Sequence, residues 1–106
     1  MSGEGLDYWI RLGIRPRYAF TTIDGSVGFC FMHWPIKIGN EPYVKMKAVT
    51  LVEPSGLIRH YTELNLPQEK VTKIVEYEYR EGSALEDLMA LKNDVTSRGK
   101  NENPKN

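Results

Sequence analysis

Alternating apolar and polar positions along residues 18–34 predict a β-hairpin. Two β-rich runs flank Asp24 and Gly25, a dipeptide that favours a type I′ turn. With those two residues as the loop, Phe20 is expected to face Phe29 across the hairpin. The core face of the hairpin would then carry Tyr18, Phe20, Thr22, Val27, Phe29, Phe31 and His33. The opposite face is apolar at the end away from the turn and needs a cover of its own.

Residues 43–64 have the pattern of a second hairpin. The sequence Glu-Pro-Ser-Gly at residues 53–56 fits a type I turn, with proline second and glycine fourth. This turn is expected to place Leu51 opposite Ile58. Both faces are mixed, so the pattern leaves open which of them is buried. Residues 35–42, which contain two prolines and a Gly-Asn turn signal, are predicted to break the sheet between the hairpins.

The periodicity changes toward the C-terminus. Residues 71–80 include a Glu-Tyr-Glu-Tyr alternation, which favours a fifth strand over a helix that begins at Pro67. Apolar side chains in residues 83–98 recur every three or four positions and predict an amphipathic helix. Ser83 and Glu86 are expected to form its capping box.

The order of elements predicts an α+β fold. It consists of an antiparallel sheet of about five strands, as two hairpins plus one strand, possibly curled, with the C-terminal helix packed on one face. Residues 6–17 fit either a short helix or an extended arm with Trp9 docked on the core. A single globular domain is predicted over residues 1–99, where Gly99 would end the helix, and a disordered polar tail over residues 100–106.

Composition narrows the range of functions. The 106 residues include 14 basic and 14 acidic side chains, and this zero net charge is unusual for a dedicated nucleic-acid binder. A single cysteine excludes an internal disulfide, and neither a signal peptide nor a membrane-length apolar run is apparent. The expected location is therefore cytoplasmic. No cofactor or metal is predicted, because the histidines and the cysteine lack ligand spacing.

Two histidines are the strongest candidates for chemistry. His33 and His60 are expected near the open end of the sheet, where they would line a small-ligand or enzymatic pocket with Tyr61 and Tyr77. The alternative is that each is a half-buried histidine with a satisfied hydrogen bond. Cys30 lies between two phenylalanines, which is expected to raise its pKa, and strand alternation places it on the face opposite His33. Cys30 is therefore interpreted as structural.

Basic residues near aromatic ones support a second alternative. A sheet that interleaves cations with aromatic rings is typical of single-stranded nucleic-acid binding. The absence of a basic excess makes this interpretation unlikely, because neighbouring glutamates dilute the positive field. The candidates are Arg11, Arg15, Arg17, Lys45 and Lys47.

The favoured interpretation is a non-enzymatic protein that acts through protein–protein contacts. Met32 and Trp34 lie on the second face of the first hairpin, and one helix can cover only one face of a sheet. Together with Trp9 and Tyr43 they are the expected contact residues for self-association or for a larger assembly in which the chain is an accessory subunit. The competing explanation is that Trp9 and the N-terminal arm fill this place. No catalytic motif decides whether the protein is an enzyme.

Overall fold

The computed structural model describes the backbone of residues 5–101 and the side chains of residues 5–93. It confirms the predicted α+β fold, a curled antiparallel sheet with a C-terminal helix. In chain order the elements are α1 (Tyr8–Arg11), β1 (Tyr18–Thr22), β2 (Val27–Cys30), β3 (Met32–Ile38), β4 (Glu41–Val52), β5 (Ile58–Pro67), a 3₁₀ turn (Gln68–Lys70), β6 (Val71–Glu76) and α2 (Ala84–Asn101).

Strand β4 organises the sheet. One edge of β4 pairs with β5, while the other edge pairs first with β3 and then with β2. Strand β1 lies between β2 and β6. Strands β5 and β6 therefore lie toward opposite ends of the sheet, yet only the three residues of the 3₁₀ turn connect them. Such a short connection requires the sheet to curl.

Both predicted hairpins form, but each pairs one residue away from the predicted register. Phe20 pairs with Gly28 rather than with Phe29, and Val52 instead of Leu51 pairs with Ile58. In both loops the last turn residue is a glycine in the left-handed region, with φ of 92° at Gly25 and 96° at Gly56. A turn followed by such a glycine forms a bulged three-residue loop, which shifts the pairing by one residue.

The shifted register distributes the core over both faces of the sheet. The predicted single core face is wrong, because a one-residue slip turns Phe20 and Phe29 to opposite sides. We call the two sides the inner face and the helix face, since α2 packs on the latter. The buried inner cluster contains Phe20, Cys30, Val44, Met46 and Val49. The buried cluster on the helix face contains Ala19, Val27, Phe29, Val52 and Leu88.

A kink interrupts the alternation of β4 at Ala48. Val44 and Met46 point to the inner face, and so does Val49, although strict alternation would turn Val49 away. Ala48 has a φ of 53°, which reverses the alternation at this point. The neighbouring strand breaks at the same level, since Phe31 separates β2 from β3 and its N–H donates to the Lys47 carbonyl at 2.9 Å.

The N-terminal arm docks beside this kink. The indole Nε1 of Trp9 donates to the Val49 carbonyl oxygen at 3.0 Å. Both sequence interpretations of the arm are therefore partly right, because Trp9 docks on the core from a one-turn helix, α1. Gly13, with a φ of 88°, follows the end of that helix.

Residues 35–42 do not break the sheet, contrary to the prediction. They belong to a third hairpin, in which Ile38 pairs with Glu41 across a two-residue loop. The first loop residue, Gly39, has a φ of 64°, as a type II′ turn requires. Prolines are tolerated at strand positions whose N–H is not needed for the ladder, and Pro35 lies on β3, which pairs along one edge only.

The C-terminal elements differ from their predicted bounds. Strand β6 ends at Glu76 instead of Arg80, and α2 continues through Gly99 to Asn101. The Ser83 hydroxyl contacts the Asp87 carboxylate at 2.9 Å, one residue beyond the Glu86 of the predicted capping box. The predicted tail thus loses its first two residues to the helix, and its remainder, residues 102–106, lies outside the described residues.

Gly28→Ala tests the close packing between β1 and β2. A Cβ atom at this position would lie 2.5 Å from the Thr50 carbonyl oxygen and 2.7 Å from the Phe20 ring. Because the nearer atom belongs to the backbone, we expect a loss of about 2–3 kcal/mol in the free energy of unfolding, measured by chemical denaturation. A loss below about 0.5 kcal/mol would contradict this packing.

Ala48→Gly tests the cost of the kink. A left-handed φ costs an L-residue about 1–2 kcal/mol, while glycine adopts it freely. We therefore expect the variant to be as stable as the wild type or up to about 1 kcal/mol more stable. Ala19→Gly is the control, because Ala19 lies in β1 with no left-handed φ and should lose about 1 kcal/mol or more. Equal losses in both variants would argue against the strained conformation.

Candidate functional site

The two histidines lie on opposite faces of the sheet. His33 pairs with Met46, a member of the inner cluster, and packs edge-to-face on Tyr18 with ring centroids 4.5 Å apart. His60 pairs with Thr50, which alternates with the inward-facing Val49. The His60 Nδ1 atom lies 3.0 Å from the Thr50 hydroxyl oxygen, and its ring stacks on Tyr8 at 4.4 Å. A base and an orienting partner cannot be built from groups on opposite faces.

The predicted tyrosines of that pocket are separated in the same way. Tyr61 packs against the inner cluster, whereas Tyr77 packs against the cluster on the helix face. The structure therefore does not assemble the predicted pocket around His33 and His60.

Cys30 is buried in the inner cluster. Its side chain has no exposed surface, and burial raises the pKa of the thiol to about 12. The expected rise is confirmed, but the alternation argument was wrong, because the break at Phe31 brings His33 onto the same face as Cys30. A thiol with this pKa stays protonated at neutral pH and is a poor nucleophile.

A polar cluster joins the first turn of α2 to the segment after β6. The Tyr77 hydroxyl donates to Asp87 Oδ2 at 2.5 Å, and Arg80 approaches Asp87 Oδ1 at 3.1 Å. The hydrogen bond from Tyr77, assisted by Ser83 and Arg80, lowers the pKa of Asp87, although burial opposes this. Burial and the bond to Asp87 raise the pKa of Tyr77. Because each of these groups has a partner, the cluster fastens α2 to the sheet.

The three candidate arginines are dispersed along the N-terminal segment. Arg11 lies 3.7 Å from Asp7, within the same short helix region. Arg15 lies over the Tyr79 ring at 5.8 Å, and Arg17 lies over the Phe31 ring at 6.0 Å.

A groove of about 650 Å³ runs beside two of these arginines. Its lining combines Arg15 and Arg17 with Glu76 and Glu78, so the positive groups face an equal number of carboxylates. This balance gives little attraction for a phosphate backbone.

The candidate lysines share one carboxylate. Lys45 donates to Glu63 Oε2, and the Lys47 Nζ atom lies 3.5 Å from Glu63 Oε1. The hydrogen bond from Lys45 is the main reason that the pKa of Glu63 is lowered. This pairing weakens the nucleic-acid hypothesis, because part of the positive charge is already neutralised within the chain.

An exposed apolar surface lies on the helix face of the third hairpin, beyond the kink. Its side chains alternate with the inward-facing Val44 and Met46, and their register places them on three adjacent strands. We call it the distal surface, and it consists of Met32, Trp34, Ile36, Ile38, Glu41, Tyr43, Lys45, Lys47, Glu63 and Asn65.

Three large apolar side chains of this surface are exposed to solvent. The exposed fractions are 42% for Met32, 37% for Trp34 and 45% for Ile38. Tyr43 is half-buried between Ile36 of β3 and Pro67 of β5. Three of the four predicted contact residues, Met32, Trp34 and Tyr43, thus lie on one surface.

The fourth predicted contact residue, Trp9, lies elsewhere. It is half-buried, and its indole bonds to the backbone beside the kink. Trp9 therefore fills part of the helix face, as the competing explanation required, but it leaves Met32 and Trp34 uncovered.

Sequence reasoning missed Ile36 and Ile38 as members of this surface. Both lie between Pro35 and Pro42, in the segment that was predicted to break the sheet. The alternation of Met32, Trp34, Ile36 and Ile38 was the signal that could have identified the exposed face.

The sequence matches no protein-family model and no curated protein. Among the described residues, no helix combines the length and apolar character needed to cross a membrane. The described part of the chain also contains no group of three or more histidine, cysteine or carboxylate side chains arranged to hold a metal ion.

Asp87→Asn tests the polar cluster. Because the folded-state pKa of Asp87 lies below its ordinary value of 3.8, its stabilising effect is fully present above the unfolded-state pKa and is lost as the pH falls through the folded-state value. We expect the variant to lose about 1–2 kcal/mol of unfolding free energy at pH 7 and less at acid pH. Denaturation curves between pH 2 and pH 7 measure this, in steps of about one unit.

Glu86→Gln is the control for this measurement, since Glu86 lies in the same first turn of α2. It should follow the wild-type pH dependence. A loss in Asp87→Asn that stays equal at all pH values would contradict the assigned role of the carboxylate.

Proposed function

We propose that the protein is a non-enzymatic binding module that contacts another protein through the distal surface. The observation that carries this proposal is the joint exposure of Met32, Trp34 and Ile38 on one face of one strand. Apolar side chains that are exposed together, rather than singly, mark contact surfaces. Tryptophan, tyrosine and methionine are also among the residues enriched at the centres of interfaces.

The surroundings of the surface support the same function. Lys45, Lys47 and Glu63 form a charged border along the apolar strip, as a polar rim surrounds an interface core. The strip lies on a rigid hairpin whose β3–β4 pairing extends over seven residue pairs from Met32 to Ile38. A preformed surface of this kind binds without a large ordering cost.

The predicted alternatives have less support. The histidines and tyrosines of the pocket hypothesis lie on different faces, and the basic groups of the nucleic-acid hypothesis are paired with carboxylates or spread over separate segments. Neither set forms one continuous site.

A photoreactive amino acid placed at residue 34 tests the proposal. The same substitution at Leu57 is the control, because Leu57 is 49% exposed but lies in the loop between β4 and β5, away from the distal surface. In an extract of the source cells we expect defined protein adducts from position 34, identified by mass spectrometry, and none from position 57. The absence of adducts at position 34, or the same adducts at both positions, would refute the proposal.

Trp34→Ser shows whether the exposed indole is required for folding. Because Trp34 packs on one side only, we expect the unfolding free energy to change by less than about 1 kcal/mol. The buried Met46, substituted by alanine, is the contrast and should lose about 2–5 kcal/mol. A loss at Trp34 as large as that at Met46 would indicate that the indole serves the fold rather than a partner.

A further inference from the structure

The open edge of β3 is poorly suited to pairing with another strand. The type II′ loop closes on Ile38 and Glu41, so hydrogen-bonded pairs alternate back along β3 from Ile38 to Ile36 and Trp34. Pro35 falls between them, and its nitrogen therefore points to the open edge without a hydrogen to donate. Lys37 lies on the same edge, and lysine and proline both discourage edge-to-edge pairing. A partner is therefore expected to meet the side chains of the distal surface rather than the backbone of its edge.

Charge is unevenly distributed along this surface. Glu41 lies at the hairpin tip, Tyr43 follows, and Lys45 and Lys47 lie toward the kink, all on the same face of β4. At about 3.4 Å per residue, Glu41 and Lys45 are about 14 Å apart, with Tyr43 midway between them. The tip of the surface is thus acidic and its middle apolar, while the other end has a net positive charge, because Lys45 and Lys47 share the single carboxylate of Glu63.

This arrangement is complementary to itself. A second surface stacked on the first with its strands antiparallel places Glu41 of each copy over Lys45 of the other. The same rotation, about an axis at the level of Tyr43, places Trp34 of one copy over Ile38 of the other. A parallel stack would instead place like charges together. Face-to-face sheets pack with their strand directions within about 30° of each other, which allows the antiparallel arrangement.

We infer that the partner of the distal surface is a second copy of this chain, packed face to face with its strands antiparallel. The inference rests on the proposed function, because it names the occupant of the same surface. Both glutamates of the surface, Glu41 and Glu63, oppose a polyanionic partner such as nucleic acid.

The size of the surface limits the strength of the dimer. Three strands spaced about 4.8 Å apart and seven residues long cover on the order of 350 Å² per copy. Both copies together would cover about 700 Å², well below the roughly 1,200 Å² of stable interfaces, so the association should be weak and reversible. We therefore expect the dimer to dissociate on dilution within the micromolar to millimolar range of protein concentration.

Charge exchange tests the arrangement. Molar mass is measured by sedimentation equilibrium across a concentration series for the wild type, for Glu41→Lys and for Lys45→Glu. Each variant alone should dimerise at least about tenfold more weakly than the wild type, because like charges meet at both ends of its dimer. An equimolar mixture of the two variants should recover the wild-type mass, since opposite charges meet at both ends of the mixed dimer.

Two controls accompany the series. Glu69→Lys makes the same charge change in the exposed 3₁₀ turn and should dimerise like the wild type. Lys45 also bonds to Glu63 in its own chain, so the unfolding curve of each variant is recorded to confirm that it is folded.

The outcomes separate this inference from the proposed function. Dimerisation that is weakened by each substitution and restored in the mixture supports the second copy. A wild-type chain that stays monomeric up to about 1 mM overturns the inference, and identified adducts of another protein at position 34 would then leave the proposed function standing. A dimer that is unaffected by Glu41→Lys also overturns the inference, because the contact would use another surface.

Discussion

The kink of β4 at Ala48 is the constraint on which the rest of the structure depends. A left-handed φ of 53° in an alanine costs about 1–2 kcal/mol, and it reverses which side chains of β4 point inward. Val49 thereby joins Val44 and Met46 in the inner cluster, and Val52 turns toward α2. The kink also leaves the Val49 carbonyl available to the indole of Trp9, which holds the N-terminal arm on the sheet.

The kink also divides the helix face into two parts with different surroundings. On one side of it, Leu88 of α2 is fully buried against residues such as Phe29 and Val52. On the other side, no described side chain of α2 is buried against the third hairpin, and Met32 and Trp34 are exposed. The exposure of the distal surface follows from the position of α2, whose described buried contacts lie at the other end of the sheet.

The candidate site could be predicted from sequence only in part. Met32, Trp34 and Tyr43 were predicted as contact residues because aromatic and methionine side chains exceeded what one helix can cover, and the structure places these three on one surface. Trp9 lies apart from them, beside the kink, and Ile36 and Ile38 were missed. The structure does not bring His33 and His60 together, because the shifted register of the second hairpin places His60 opposite Thr50 on the helix face, whereas His33 lies opposite Met46 on the inner face.

By itself the sequence determined the local elements, because turn glycines, periodicity and helix-forming patterns act over a few residues: two of the three hairpins, the last strand and the C-terminal helix follow from it. The tertiary structure alone decided the register, the faces and the surface. A glycine bulge shifts pairing by one residue, and a single left-handed alanine reverses a face. Whether Gly25 and Ala48 adopt those conformations depends on the neighbouring strands, such as the close contact of Phe20 with Gly28, and a one-dimensional pattern does not contain those contacts.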